Sequence, residues 1–123
     1  MTLPNRPLFL ACVLIAVGAA TAALATPLTT IRFDRPNVNY EGALYALVRG
    51  VLDRRPDASF EVVACSPQAS TPGAQALVTT NMRRNAESVV RSLNNMGLPS
   101  NRIRVSQNVC ASSDVGEVQV IVR

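Results

Sequence analysis

The chain contains no histidine, no lysine and no tryptophan, and aromatic residues make up only 4% of its 123 positions. Without histidine there can be no Ser-His-Asp or Cys-His nucleophile system and no histidine-bearing zinc site. Cys65 and Cys110 lack metal-ligand spacing, and no glycine-rich phosphate loop is present. We therefore expect no catalytic site of the usual kinds, no metal and no cofactor. All twelve basic residues are arginine, a compositional bias that by itself implies no phosphate specificity. Beyond Ala25, eleven arginines face eight acids, leaving +3 spread along the chain. With no basic run and no interleaved aromatics, nucleic acid is not an expected partner.

What is present begins with a targeting pattern. Arg6 precedes an unbroken apolar run, Leu8 to Val17, and small residues follow from Gly18 to Ala25. Ala23-Leu24-Ala25 offers the small-x-small pattern of a signal peptidase site, so residues 1–25 read as a signal peptide cut after Ala25. Ten apolar residues span only about 15 Å as a helix, half a bilayer core. An uncleaved inner-membrane anchor reaching Ala25 is the alternative. Cys12 sits inside the apolar run rather than at its end, which argues against a lipoprotein signal. Residues 26–123 then read as one domain, since a chain of this length leaves little room for a second core.

Export bears on the cysteines. With Cys12 removed, Cys65 and Cys110 form an even pair in a compartment where disulfides form. A bridge across that span is worth about 4 kcal/mol in the chain-entropy picture. Two buried thiols are the alternative reading.

The mature part alternates between strand and helix periodicity. Thr29 to Asp34 places Ile31 and Phe33 on one side and Arg32 and Asp34 on the other, as a short strand does. After Pro36, Asn39 is a candidate cap for a helix whose stripe is Leu44, Leu47, Val48, Val51 and Leu52, stopped by Pro56. Phe60 to Cys65 is apolar on both sides apart from Glu61, suiting an inner strand with helix cover. Ser66 to Gly73 reads as a loop. A second helix starts at about Ala74 or Thr80 and runs to Met96, with Ala86, Val89, Val90 and Leu93 inward. Gly97 and Pro99 end it. Ile103 and Val105 mark a third strand, Glu117 to Val122 a fourth, with Asp114 to Gly116 in the turn before it. The fold class is α/β in the order β-α-β-α-β-β: one sheet, helices on one face or both, and the first two connections parallel.

This order, with particular residues, resembles the OmpA-like domain, the periplasmic peptidoglycan-associated module of outer-membrane proteins and flagellar stators. Ile31-Arg32-Phe33 is similar to the opening strand of that family. Leu44, Leu47, Leu52 and Pro56 are similar to its first helix and turn, and Ala86, Val89 and Leu93 to its second helix. Gly97-Leu98 and Arg102-Ile103 resemble its Gly-Ile and Arg-Ile pairs. The resemblance covers Thr29 to Arg123 and implies two helices on a small mixed sheet. It also implies a ligand, the diaminopimelate of the peptidoglycan stem peptide, gripped in the family by an Asp after the second strand and an Arg on the second helix. A zwitterion needs such a carboxylate and a bidentate guanidinium. Here Pro67 and Asn85 stand at those positions, and the family's late Asn-Arg-Arg signature is absent. The ligand-binding residues the resemblance leaves are Ser66, Asn81, Arg84 and Asn85, with Arg84 about 100° around the helix from Asn85. It also brings Cys65 and Cys110 to one sheet edge, favouring the disulfide.

Three functions follow as expectations. The first is a non-catalytic periplasmic module binding the peptidoglycan stem peptide. The second is an accessory structural subunit of an envelope-spanning secretion or conjugation assembly, contacting proteins instead of the wall. The third is a carboxylate-pair hydrolase using Asp34 and Glu61, on strands taken as candidate neighbours. It is the least favoured, and the chain is read as no enzyme.

Overall fold

The computed structural model describes residues 26–110 and 114–123. Residues 1–25, read above as a signal peptide, lie outside the described residues. Among those described, no helix is long and apolar enough to cross a membrane.

The elements are β1 (Thr29–Arg32), α1 (Glu41–Arg54), β2 (Phe60–Ser66), α2 (Pro72–Asn95), a 3-10 turn (Ser100–Arg102), β3 (Ile103–Val109) and β4 (Glu117–Val122). They form an α/β fold of two helices on a four-stranded mixed sheet in the order β1-β4-β2-β3. β2 pairs parallel with β3, and β4 is antiparallel to both β1 and β2. β1 and β2 therefore run in the same direction, as right-handed connections predict, but β4 lies between them.

One hydrophobic cluster joins both helices to one sheet face. Leu44, Val48 and Val51 of α1 and Met82, Ala86, Val89 and Leu93 of α2 pack with Phe60, Val62 and Ala64 of β2 and with Val118 and Val120 of β4. The opposite face holds a small second cluster of Val63, Cys65 and Ile121, with no helical residue in it. Of the two arrangements expected, helices on one face or on both, the helices cover one face. Every residue of β2 is still buried, because its other face is closed by sheet neighbours and by Cys110.

Local chemistry sets the boundaries. Tyr40, not Asn39, holds the N-cap position of α1, with no side-chain cap. α2 starts earlier than its periodicity suggests: Thr71 Oγ1 accepts from the Ala74 amide at 3.1 Å and Pro72 opens the first turn. At its other end Gly97 adopts φ 105°. The Gly97 amide donates to Asn94 O and that of Leu98 to Leu93 O, which is a Schellman motif closed by the buried Leu98. Two stripe residues are largely exposed: Leu47 on α1, and Val105 on the edge strand β3.

Candidate functional site

At the end of the sheet where β2 finishes and β4 begins, a cleft of about 350 Å³ opens between α2 and the segment after β1. α2 contributes Asn81, Met82 and Asn85, spaced so that all three lie on one stripe of the helix. Arg35 and Pro67 form the opposite walls. Gly116 lies at the floor, where a Cβ would collide with Met82 Sδ, so glycine lets the thioether pack there. That sulfur in turn accepts from Asn85 Nδ2 at 3.4 Å, which leaves the Asn85 carbonyl oxygen for a ligand.

A second hollow continues from the first, sharing Phe33, Pro36 and Asn85 and adding Ser88 and Asn37. Beyond it a third is bounded by Arg91 and Asn95. Its floor is tied by Ser92 Oγ, which donates to Glu41 Oε2 at 3.0 Å and lies 3.4 Å from the Tyr40 hydroxyl. The result is a groove of mixed lining along α2, in which amides and hydroxyls alternate with Phe33, Val78 and Met82, with an arginine at each end. Such a surface offers donors and acceptors that an extended polar ligand could use.

The structure brings together Asn81 and Asn85 but separates them from the other two residues expected there. Arg84 is exposed and does not line the cleft, as its angle around the helix requires. Ser66 is buried in the sheet, and its carbonyl accepts from the Cys110 amide at 2.9 Å. The guanidinium of the cleft is Arg35 instead, 3.5 Å from Asp34 in a largely exposed pair. Pro67 lines the cleft and brings no charge to it. No family model matches the chain, and no curated protein matches its sequence.

Cys65 and Cys110 sit beside this end of the sheet, their Cα atoms 5.3 Å apart and their sulfurs at bonding distance. That separation falls within the normal range for a disulfide.

The carboxylate pair is overturned by topology. Asp34 follows β1, and Glu61 is the second residue of β2, with β4 between the two strands. The register sets Glu61 opposite Ile121 and Thr29 opposite Val120, so Asp34 lies at the far end, on the order of 20 Å away. Glu61 is instead a buried structural anion. It accepts from Arg123 Nε at 2.9 Å, again from Arg123 Nη2, and from Ser106 Oγ at 2.9 Å. The Arg123 hydrogen bond and then that of Ser106, with the Arg123 and Arg104 charges, outweigh burial and hold its pKa below the ordinary 4.5.

A carboxyl with a depressed folded-state pKa stabilises the fold fully above its unfolded value. That contribution is lost as pH falls through the folded value. Native stability should therefore fall as the pH drops below 4.5, and Glu61→Gln should flatten that part of the profile. Urea titrations between neutral and acid pH check this; parallel profiles for the two proteins would refute it.

Proposed function

We propose that the chain is a non-catalytic module of the bacterial cell envelope, exported to the periplasm, that binds the peptidoglycan stem peptide along the α2 groove. The observation carrying this reading is the convergence of Asn81, Asn85 and Arg35 in one cleft at the end of β2, where the OmpA-like resemblance puts the ligand. Arg35 serves the ligand carboxylate, and Asn81 and Asn85 serve its amides. Pro67 leaves the ammonium to solvent, so binding is weaker than that of a full carboxylate-guanidinium clamp. The leader pattern and the paired cysteines support export.

The test is retention of the purified protein on isolated sacculi. Arg35→Ala should lower retention about tenfold and Asn85→Ala about fivefold, whereas Arg84→Ala should change it less than about twofold. Equal loss in all three, or no retention of the parent, would remove the wall-binding reading.

A second reading is an accessory structural subunit of an envelope-spanning assembly that no longer binds the wall. Pro67 in the cleft favours it, as do the exposed apolar side chains Leu77, Val105 and Val109. Capture of assembly proteins without sacculus retention is its expected signature.

A further inference from the structure

The opposite end of the sheet carries a hollow of about 640 Å³, and three arginines line it. Arg102 comes from the 3-10 turn, Arg104 from β3 and Arg123 from the segment after β4, with Ser59, Ser100 and Asn101 between them. Two of the three guanidiniums are held by bonds to distant parts of the chain. Arg102 donates Nε to Ala58 O at 3.0 Å and Nη2 to Pro56 O at 2.6 Å. Arg123 donates Nε and Nη2 to Glu61, and its backbone amide binds Ser59 O at 2.8 Å.

Each anchored guanidinium keeps its Nη1 outside these bonds. The fork is thus fixed in place with donors to spare. Arg104 stands opposite Glu61 in the β2–β3 register and is exposed. Among the described residues Glu61 is the acidic side chain bonded into this group, and it accepts from Arg123 and Ser106. With Arg123 paired to Glu61, Arg102 and Arg104 leave the hollow cationic. Its donors are pre-positioned, so little side-chain freedom remains to be lost when an anion binds.

We propose that this hollow is a binding site for a phosphate-bearing ligand, a diphosphate or a headgroup with paired phosphate oxygens. Arg104 closes on the oxygens left open by Arg102 and Arg123, and Ser59, Ser100 and Asn101 supply neutral donors. Planar forks suit such oxygens because each guanidinium can donate two parallel bonds. The site is at the far end of β2 from the Asn81–Asn85 cleft, about 20 Å away, and does not rest on the wall-binding reading. A free diphosphate and a phospholipid headgroup share this chemistry.

The experiment is calorimetric titration of the purified chain with inorganic pyrophosphate, paired with sedimentation on phosphatidylglycerol-containing vesicles. Saturable pyrophosphate binding is expected. Arg104→Ala should weaken it about tenfold, and Arg83→Ala, an equal loss of charge on the exposed face of α2, less than about twofold. The Arg104 side chain makes no hydrogen bond among the described residues, and Ala keeps the backbone pairing of β3, which an unchanged far-UV circular dichroism spectrum checks. Vesicle binding that pyrophosphate displaces and Arg104→Ala abolishes identifies a lipid headgroup as the source; its absence beside saturable pyrophosphate binding identifies a soluble phosphate. No saturable pyrophosphate binding, or equal weakening by Arg104→Ala and Arg83→Ala, would overturn the site.

Discussion

Replacing Cys65 and Cys110 together with serine should lower the free energy of unfolding by about 4 kcal/mol. The two positions are 45 residues apart in sequence. Tying them removes the loop-closure freedom of that span from the unfolded chain, and the loss grows with the logarithm of loop length. In the folded state the cross-link adds little constraint, because β2 and β3 already pair in register from Phe60–Ile103 to Ser66–Val109. The Cys110 amide also binds Ser66 O. The effect therefore resides mainly in the unfolded ensemble.

That location yields a second signature. Urea unfolding of the oxidised and double-serine proteins should differ in midpoint. The slope should be steeper for the serine protein, whose unfolded chain is free to expand. Mass spectrometry with and without reduction should show a mass difference of two hydrogens in material from the oxidising compartment. Two free thiols there, or a stability loss below about 1 kcal/mol, would dismiss the bridge as a stabilising element.

Much of this architecture is written in local patterns. The apolar stripe at Leu44, Val48 and Val51 and the one at Ala86, Val89 and Leu93 both face the sheet. Gly97 before Leu98 is a helix stop that needs no tertiary partner. β4 runs from Glu117 to Val122, where its alternation places it. The start of α2 was also legible, since Thr71-Pro72 is an N-cap followed by a proline at the first helical position. The Ser, Pro, Thr and Gly around that pair resemble a loop and obscure it.

What local patterns cannot carry is adjacency. Nothing near Glu117 says that β4 enters between β1 and β2, yet that insertion parts Asp34 from Glu61. Glu61 in a buried strand looks like an error until Arg123, 62 positions away, arrives beside it. Arg35 reaches the cleft from an irregular segment before Pro36, with no periodicity to mark its direction. Asn81 and Asn85 were findable because they are four apart on a helix, and the same spacing rule turns Arg84 away.

Phe60→Ala should cost about 3–5 kcal/mol, the range for removing a fully buried aromatic ring from a packed core. Phe60 is 1% exposed and among the largest of the fully buried side chains. It opens the central strand, between Ile103 and Val122 in neighbouring strands, within the cluster shared by both helices. Those neighbours are held in sheet and helix and cannot collapse into the space. Cys65 lies five residues further along β2, on the other face and roughly 17 Å away, far enough for the two losses to add. Together they approach about 7–9 kcal/mol, against a total of about 5–15 kcal/mol for a domain of ordinary stability. The triple variant Phe60→Ala, Cys65→Ser, Cys110→Ser should thus lose about 7–9 kcal/mol, more than either parent variant, and unfold at room temperature where the intact domain holds less than that. Circular dichroism and urea midpoints distinguish the cases. A triple variant about as stable as Phe60→Ala alone would mean that the bridge and the ring act on one and the same step of unfolding, and that the two faces of β2 are not independent.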